Sequence, residues 1–463
     1  MLDLLEYAVK RAKKLGASQA EAFYFAEDKL RTTIEKAQVK TCERKFDAGV
    51  GIRVALKKRG GFSVGFSYFT DLTKEAAAKT AQQTLRVASF KKPDRDLKSF
   101  QERKPASQVK KIRDKALTRI EPETIVDLAS DLVKTASVDR KITTIGGRIN
   151  LSVGQIALVN SLGVSGDFSF SRYSTGGYAV AQDAGSVAVG WDEYSNCFFD
   201  EDAAYAVFKN ASRNALDQLH PKPVKTEKMD ILIQPPAFAQ LLGSTLVPAI
   251  RADNVQKSQS PFVGKLSQSV ASNNLSVVDD GHVPQAFGSR PFDDEGFPTQ
   301  ATKIIDKGEL RGFLHNSYTS SKDRVKSTGN SLRSMGGFGT RQRYCVEPQI
   351  GPTNLRFFPG VKSAEDSLDA VMIEVKNGVM AKGVIGAHTA NPQSGEYSVV
   401  LDLAYKVEKG EVAFPVKQAM IGGNIQDLLK NVSLFADDVT HVGWEHTAII
   451  LPTVLVKDVT VSG

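Results

Sequence analysis

The 463 residues include only three cysteines, Cys42, Cys197 and Cys345. They are odd in number and far apart, which excludes a disulfide framework as the source of stability. Long hydrophobic runs are also missing: none approaches the roughly 18 residues that a membrane-spanning helix requires. Met1 leads straight into LDLLEYAVKRAKKLG, which reads as an amphipathic helix and not as a signal peptide. The expectation is a cytoplasmic protein without membrane association. Histidine is scarce too, with six in the chain, so a His-rich metal cage has little raw material.

What is present is an ordinary globular composition, with 41% hydrophobic and 24% charged residues, on a chain long enough for two or three domains. The net charge of +8 invites a nucleic-acid reading, but its location argues against one. Residues 91–119 hold 11 Lys/Arg against 4 Asp/Glu, a net of +7, with two prolines and Phe100 as the only aromatic. A surface for single strands interleaves aromatics with its cations. This stretch reads as a solvated basic linker or flap.

The region before it and the region after it follow one pattern. Leu2, Leu5, Val9 and Ala12 mark a first helix, strands follow, and GVGIRVALKKRGGFSVGFSYF forms two strands around a Lys-Arg-Gly-Gly turn. A helix over Asp71–Ser89 closes this pass. The second pass opens with a helix over Glu123–Ala136, continues in strands, and closes with a helix around Asp202–Leu219. KRGGFSVGF in the first pass answers DAGSVAVGW in the second. The spacing predicts an α+β fold in which residues 1–220 form one domain. Within it, residues 1–90 and 121–220 are copies joined by the basic linker.

HPKPVKTEK (220–228) has two prolines and no periodicity, and it separates this region from a β-rich domain over 229–463. There MDILIQP reads as a buried strand and PAFAQLLGSTLVPAIRAD as one helix with Phe238, Leu241, Leu242, Thr245 and Leu246 inward. Hairpins are expected at Asp-Lys-Gly in TKIIDKGELRGFL, at Asn-Gly in VMIEVKNGVMAKGV and at Glu-Lys-Gly in SVVLDLAYKVEKGEVAF. A short amphipathic helix near Asn424–Asn431 precedes a terminal strand, AIILPTVLVKDVTV.

Several segments could carry chemistry. Asp293, Asp294, Glu295 and Gly296, inside RPFDDEGFPTQ (290–300), read either as clustered carboxylates for acid/base or metal work or as a capped turn with Gly at positive φ. GFSVG (61–65) matches G-x-S-x-G, but Ser63 lies in an alternating strand and not at a strand-to-helix elbow. His441 and His446 flank Glu445 in HVGWEH, five residues apart, which on a helix places them on different faces. STGNSLRSMGGFG (327–339) could cradle an anion or peptide carbonyl, and GEYSVVLDLAY (395–405) could offer a strand edge to an extended peptide.

Taken in order, RPFDDEGFPTQ, GELRGFLHNSYTSSK, STGN, GEYSVVLDLAYKVEKGE and IGGN-x-x-DLL resemble the TldD/PmbA family, labelled both modulators of DNA gyrase and zinc metallopeptidases. The resemblance spans essentially the whole chain. It implies one of two branches. TldD-like members carry H-E-x-x-x-H and a late Cys as zinc ligands. Here the matching segment reads LLGSTLVPAIRAD, its ligand positions fall at Gly243 and Pro248, and no Cys follows Cys345. The resemblance therefore points to the PmbA/TldE branch, which implies no catalytic residue and no metal in this chain. It implies zinc in a TldD-like partner, and a heterodimer that processes unfolded or extended peptides. A homodimer is the expectation when the chain is alone. Thr328, Gly329, Asn330, Gly395, Glu396 and Tyr397 are the candidates for the substrate cleft. Two other readings stand beside this one. One is a stand-alone hydrolase built on His441, Glu445, His446 and the Asp293–Glu295 cluster; the other is a binding or regulatory protein without proteolysis.

Overall fold

The computed structural model describes residues 1–334, 342–360, 366–444 and 446–463. Helix α1 (Leu2–Lys14) is followed by strands β1 (Gln19–Glu35), β2 (Gln38–Lys58) and β3 (Gly61–Phe69), then by α2 (Lys74–Phe90). The order repeats as α3 (Pro122–Ala136), β4 (Ile142–Asn160), β5 (Ser165–Asp183), β6 (Ser186–Asn196) and α4 (Glu201–Asp217). The six strands form one antiparallel sheet in the order β3-β2-β1-β4-β5-β6, so the two copies join through β1 and β4. Apolar residues at helical spacing (Leu5, Ala8, Val9 and Ala12 on α1; Ile125, Leu128, Ala129 and Leu132 on α3) seat both helix pairs on the same face.

Two glycines hold matching places in the repeated order of elements. Gly65 on β3 and Gly190 on β6 occupy matching places in KRGGFSVGF and DAGSVAVGW. A Cβ on Gly65 would lie 2.7 Å from the Ala88 nitrogen of α2, and one on Gly190 would lie 2.6 Å from the Asn214 carbonyl carbon of α4. Each helix backbone rests on a strand that has no side chain there. Gly65→Ala and Gly190→Ala are each expected to lower stability by about 1–3 kcal/mol through overpacking. An unchanged urea midpoint for either variant would contradict this packing.

Residues 91–119 are largely exposed, but they are not a free flap. The Phe62 and Asp94 backbones bond to each other, Ser107 N donates to Pro291 O at 3.0 Å, and Ser171 N donates to Ile112 O at 3.0 Å. Phe100 is buried beneath the Arg53 guanidinium, 4.8 Å from its ring. The segment is a strap fastened to both halves of the molecule.

From β7 (Glu227–Ile233) onward the chain builds a sheet that closes on itself. β7 pairs with the strands Asn377–Ile385 and Val454–Ser462, and Asn377–Ile385 also pairs with Glu396–Glu408. A second six-stranded sheet starts with β8 (Leu275–Asp280), β9 (Ala301–Asp306) and β10 (Glu309–Leu310). The hairpins at Lys307-Gly308 and Lys409-Gly410 form as the Lys-Gly spacing predicts, with both residues of each pair at positive φ.

Three local expectations are corrected. The Asn-Gly hairpin does not form: Leu368–Ile373 is helical, capped by Ser367, and Asn377 opens a strand whose partners lie elsewhere. The 235–252 helix breaks. Helix α5 (Pro235–Ser244) ends where Thr245 turns its hydroxyl back to Leu241 O at 2.6 Å, and short turns follow. The inward residues Phe238, Leu241, Leu242, Thr245 and Leu246 are all fully buried. The terminal strand splits at Pro452-Thr453 into Thr447–Leu451 and Val454–Ser462, which belong to different sheets. Among the described residues no helix is long and apolar enough to cross a membrane.

Candidate functional site

The face of the first sheet that carries no helix is turned toward the C-terminal half, and the acidic turn plugs into it. Asp293 Oδ1 accepts from Glu295 N at 3.0 Å and Phe297 N at 2.9 Å, and its Oδ2 accepts from Ser331 N at 3.0 Å. Gly296 has φ +85°, and a Cβ there would stand 2.5 Å from Val164 Cγ1 at the end of the first sheet. This is the geometry of a capped turn, with all three carboxylates buried.

The carboxylates nevertheless do more than shape a loop. Arg53 on β2 reaches Glu21 on β1 through Nε and Nη2, both at 2.9 Å, and reaches Glu295 at 3.1 Å. Arg333 donates to Glu21 at 2.7 Å and to Val346 O at 2.8 Å, with its guanidinium 4.6 Å from the Phe23 ring. Arg343 pairs with Asp294, and Glu295 Oε2 also takes Ser317 N at 3.0 Å. Burial alone would raise the Asp294 carboxyl, but Arg343 and Arg290 outweigh it and hold it below its ordinary value. Burial and the Glu295 charge push Asp293 up to about 8, against three backbone N–H bonds that pull it down. Behind the turn, Asp279 is pushed up to about 6 by burial, although it accepts from Asn330 Nδ2 at 2.6 Å and from Thr353 N at 2.7 Å.

Beside this network lies a cleft of about 710 Å³ between α5 and the Thr440–Trp444 hairpin, lined by Gly243, Ser244, Trp444 and His446 among others. Gly243 faces Trp444: a Cβ on the glycine would sit 3.8 Å from the indole. The zinc that the resemblance implies for a TldD-like partner would not fit the side chains at the matching positions of this chain. Gly243 and Pro248 offer no ligand, and Ser244 stands where a carboxylate base would be. Among the described residues no group of three His, Cys, Asp or Glu is placed to hold a metal ion.

The remaining candidates have plain placements. Thr328 Oγ1 is hydrogen-bonded to the His315 backbone, Gly329 has φ +76°, and Asn330 is fully buried against Asp279 and Gly351 O. These residues brace the acidic turn. Gly395, at φ +80°, precedes the strand Glu396–Glu408, where Tyr397 is buried and already paired with Gly423. None of these six lines the 710 Å³ cleft. Residues 335–339 of the Gly-rich loop and Glu445 lie outside the described residues. His441 lies on a strand and not a helix, and His446 is buried edge-on to Phe25 and Phe170 at 5.7 and 6.0 Å. Burial and then Arg172, Arg343 and Arg290 hold His446 well below the usual imidazole range, so it stays neutral. Ser63 is buried in β3.

Sequence reasoning missed Glu21, Arg53, Arg333 and Arg343. The one available signal was Glu21 and Arg53 as charges inside alternating apolar strands, and the β1–β2 register pairs them directly.

Matches to known proteins agree with this architecture. Residues 20–88, 115–219 and 226–463 match models described as domain 1, the central domain and the C-terminal domain of a PmbA/TldA metallopeptidase. The fold is thus of a metallopeptidase class. The chain belongs to the PmbA/TldD family. It is 25% identical to metalloprotease PmbA of Escherichia coli O157:H7, over 97% of this chain and 95% of that one. A Thermotoga maritima protein described as a modulator of a DNA gyrase superimposes with TM-score 0.87 and 26% identity, over 99% of both chains. TldE from Thermococcus kodakarensis has the same fold, with TM-score 0.88 and 22% identity over 99% of this chain and 100% of that one.

Proposed function

We propose that this chain is the TldE/PmbA-like subunit of a heterodimeric zinc metallopeptidase that acts in the cytoplasm on unfolded or extended peptides. A TldD-like partner supplies the zinc and the activated water, and this chain supplies part of the cleft wall. The observation that carries the reading is the cleft at α5. A catalytic zinc site needs about three protein ligands and a neighbouring base, whereas this cleft presents Gly243 and Ser244 at the matching positions, and its two histidines, His388 and His446, do not complete a three-ligand group among the described residues. Residues 1–220 and 229–463 are the two domains of the subunit, a division supported by the strands of the first sheet all lying within 19–196.

The test is peptide cleavage by the purified chain, by a TldD-like partner, and by their mixture. Activity is expected in the mixture and in neither chain alone, together with a mixed dimer on size-exclusion chromatography. A partner that is fully active by itself would overturn the subunit role.

A further inference from the structure

The helix-free face of the first sheet changes character along its strands. At one end Phe23, Phe25 and Phe170 pack with Phe292 next to the acidic turn. At the other end the register sets Arg31 beside Asn150, Ser174 and Ser195, and in the next row Thr33 beside Arg148, Gly176 and Glu193. Two clefts of about 380 and 350 Å³ lie over these rows, and Arg31, Arg148 and Glu193 line both. Trp444 lines the 380 Å³ cleft and also the 710 Å³ cleft beside Gly243. The three clefts therefore adjoin in a row, a track from α5 past Trp444 to the two arginines. Its floor is open at Gly176, where an added Cβ would meet nothing closer than 3.8 Å.

The two arginines on this track are unpaired among the described residues, whereas Asp192 beside them pairs with Lys382 at 2.8 Å. Among the described residues neither Arg31 nor Arg148 has a carboxylate within the 4.0 Å ion-pair distance. Glu43 stands opposite Arg31 on β2 and Glu193 is the acidic neighbour of Arg148, but neither closes to that distance. Two guanidiniums on adjacent strands, walled in by a facing hairpin, suit a carboxylate held by paired N–H donors. A sheet face bounded by a wall also suits an extended chain.

We propose that this track binds an extended peptide and that Arg31 and Arg148 form a subsite for one carboxylate of that peptide. Glu193 lies two strands from Arg148, across Gly176, where it takes a peptide N–H or a basic side chain and orients the ligand. The proposal names a substrate preference for the peptide-handling role argued above and rests on that reading. It is nonetheless measured on this chain alone, where no cleavage is required.

The experiment is fluorescence anisotropy of the full chain with three labelled ten-residue peptides: one with a central Asp-Glu pair and an amidated end, one neutral with a free C-terminal carboxylate, and one neutral and amidated. One of the carboxylate peptides is expected to bind about tenfold more tightly than the neutral amide, the sum of two modest ion pairs. Preference for the first assigns a side-chain carboxylate, and preference for the second the chain terminus. The Arg31→Gln/Arg148→Gln double variant should abolish the difference and leave binding of the neutral amide and the circular-dichroism melt unchanged. Equal affinities for all three peptides, or a preference that survives the double variant, would overturn the subsite. Loss of cleavage in the mixed-chain assay with this binding difference intact would count against the subunit role alone.

Discussion

Replacing Arg53 by Met is expected to lower the unfolding free energy by about 3–5 kcal/mol, the range for stranding buried charges by removing one partner. Among the described residues Arg53 is the only cation in contact with Glu295 and one of two on Glu21, and all three side chains are nearly inaccessible to water. Without it, among the described residues, Glu295 keeps one backbone N–H from Ser317 and Glu21 keeps Arg333. The effect is large because desolvation penalises a buried carboxylate that has lost its counter-charge. The network also ties β1 and β2 to the acidic turn and to Arg333, which lies 312 residues after Glu21 in the chain. Arg53→Met should therefore loosen the join between the two halves as well as the local packing. Limited proteolysis within 91–119 should speed up alongside the drop in urea midpoint. A midpoint within experimental error of the parent would contradict the role assigned to this network.

Stability should fall as pH rises from 7 to 8, by about 0.5–1 kcal/mol. The source is Asp293, whose carboxyl is pushed up to about 8 in the folded chain by burial and by Glu295. Its folded pKa lies above its unfolded one, so its contribution is fully present below about pH 4. That contribution is lost as pH rises through about 8. The window is chosen to isolate this group. Asp279, pushed up to about 6, has largely ionised by pH 6.5. His315, His441 and His446 are all lowered by burial, so each loses stability as pH falls through its unfolded value of about 6.5 and adds only a small opposing rise above pH 7. Asp294 is lowered and acts in the opposite sense, below the ordinary carboxylate range. Because Asp293 and Glu295 interact, the titration belongs to the pair, and Asp293→Asn is the control. The variant will be less stable at every pH, but its urea midpoint should be flat or rise slightly between pH 7 and 8. A parent protein with a flat or rising profile in that window would refute the assignment.

The sequence made the helices of both copies legible because their apolar stripes are long and end in clear caps. Thr73 and Asp200 do accept the first-turn N–H groups of α2 and α4. KRGGFSVGF and DAGSVAVGW match in sequence because the glycine under each closing helix has a steric reason to be there. The Asn-Gly at 377–378 misled for a physical reason. A two-residue turn forms only where both flanks are strands, and Ser367 instead caps a helix just upstream. The late strand misled because its apolar pattern runs through Pro452 without interruption, while the backbone changes sheets there. At the site, the acidic turn could be found from its composition. Its partners could not, because Arg53, Arg333 and Arg343 reach it only after the two halves of the chain pack together.

The central claim is that this chain forms part of a peptidase cleft without carrying its metal. Metal content is the most direct test: the purified full-length chain is saturated with zinc, desalted and analysed by inductively coupled plasma mass spectrometry, alone and mixed with a TldD-like partner. The account predicts far less than one zinc per chain for this protein alone and one per heterodimer in the mixture. One tightly held zinc per chain in the isolated protein, lost on replacing His441 or His446, would contradict it.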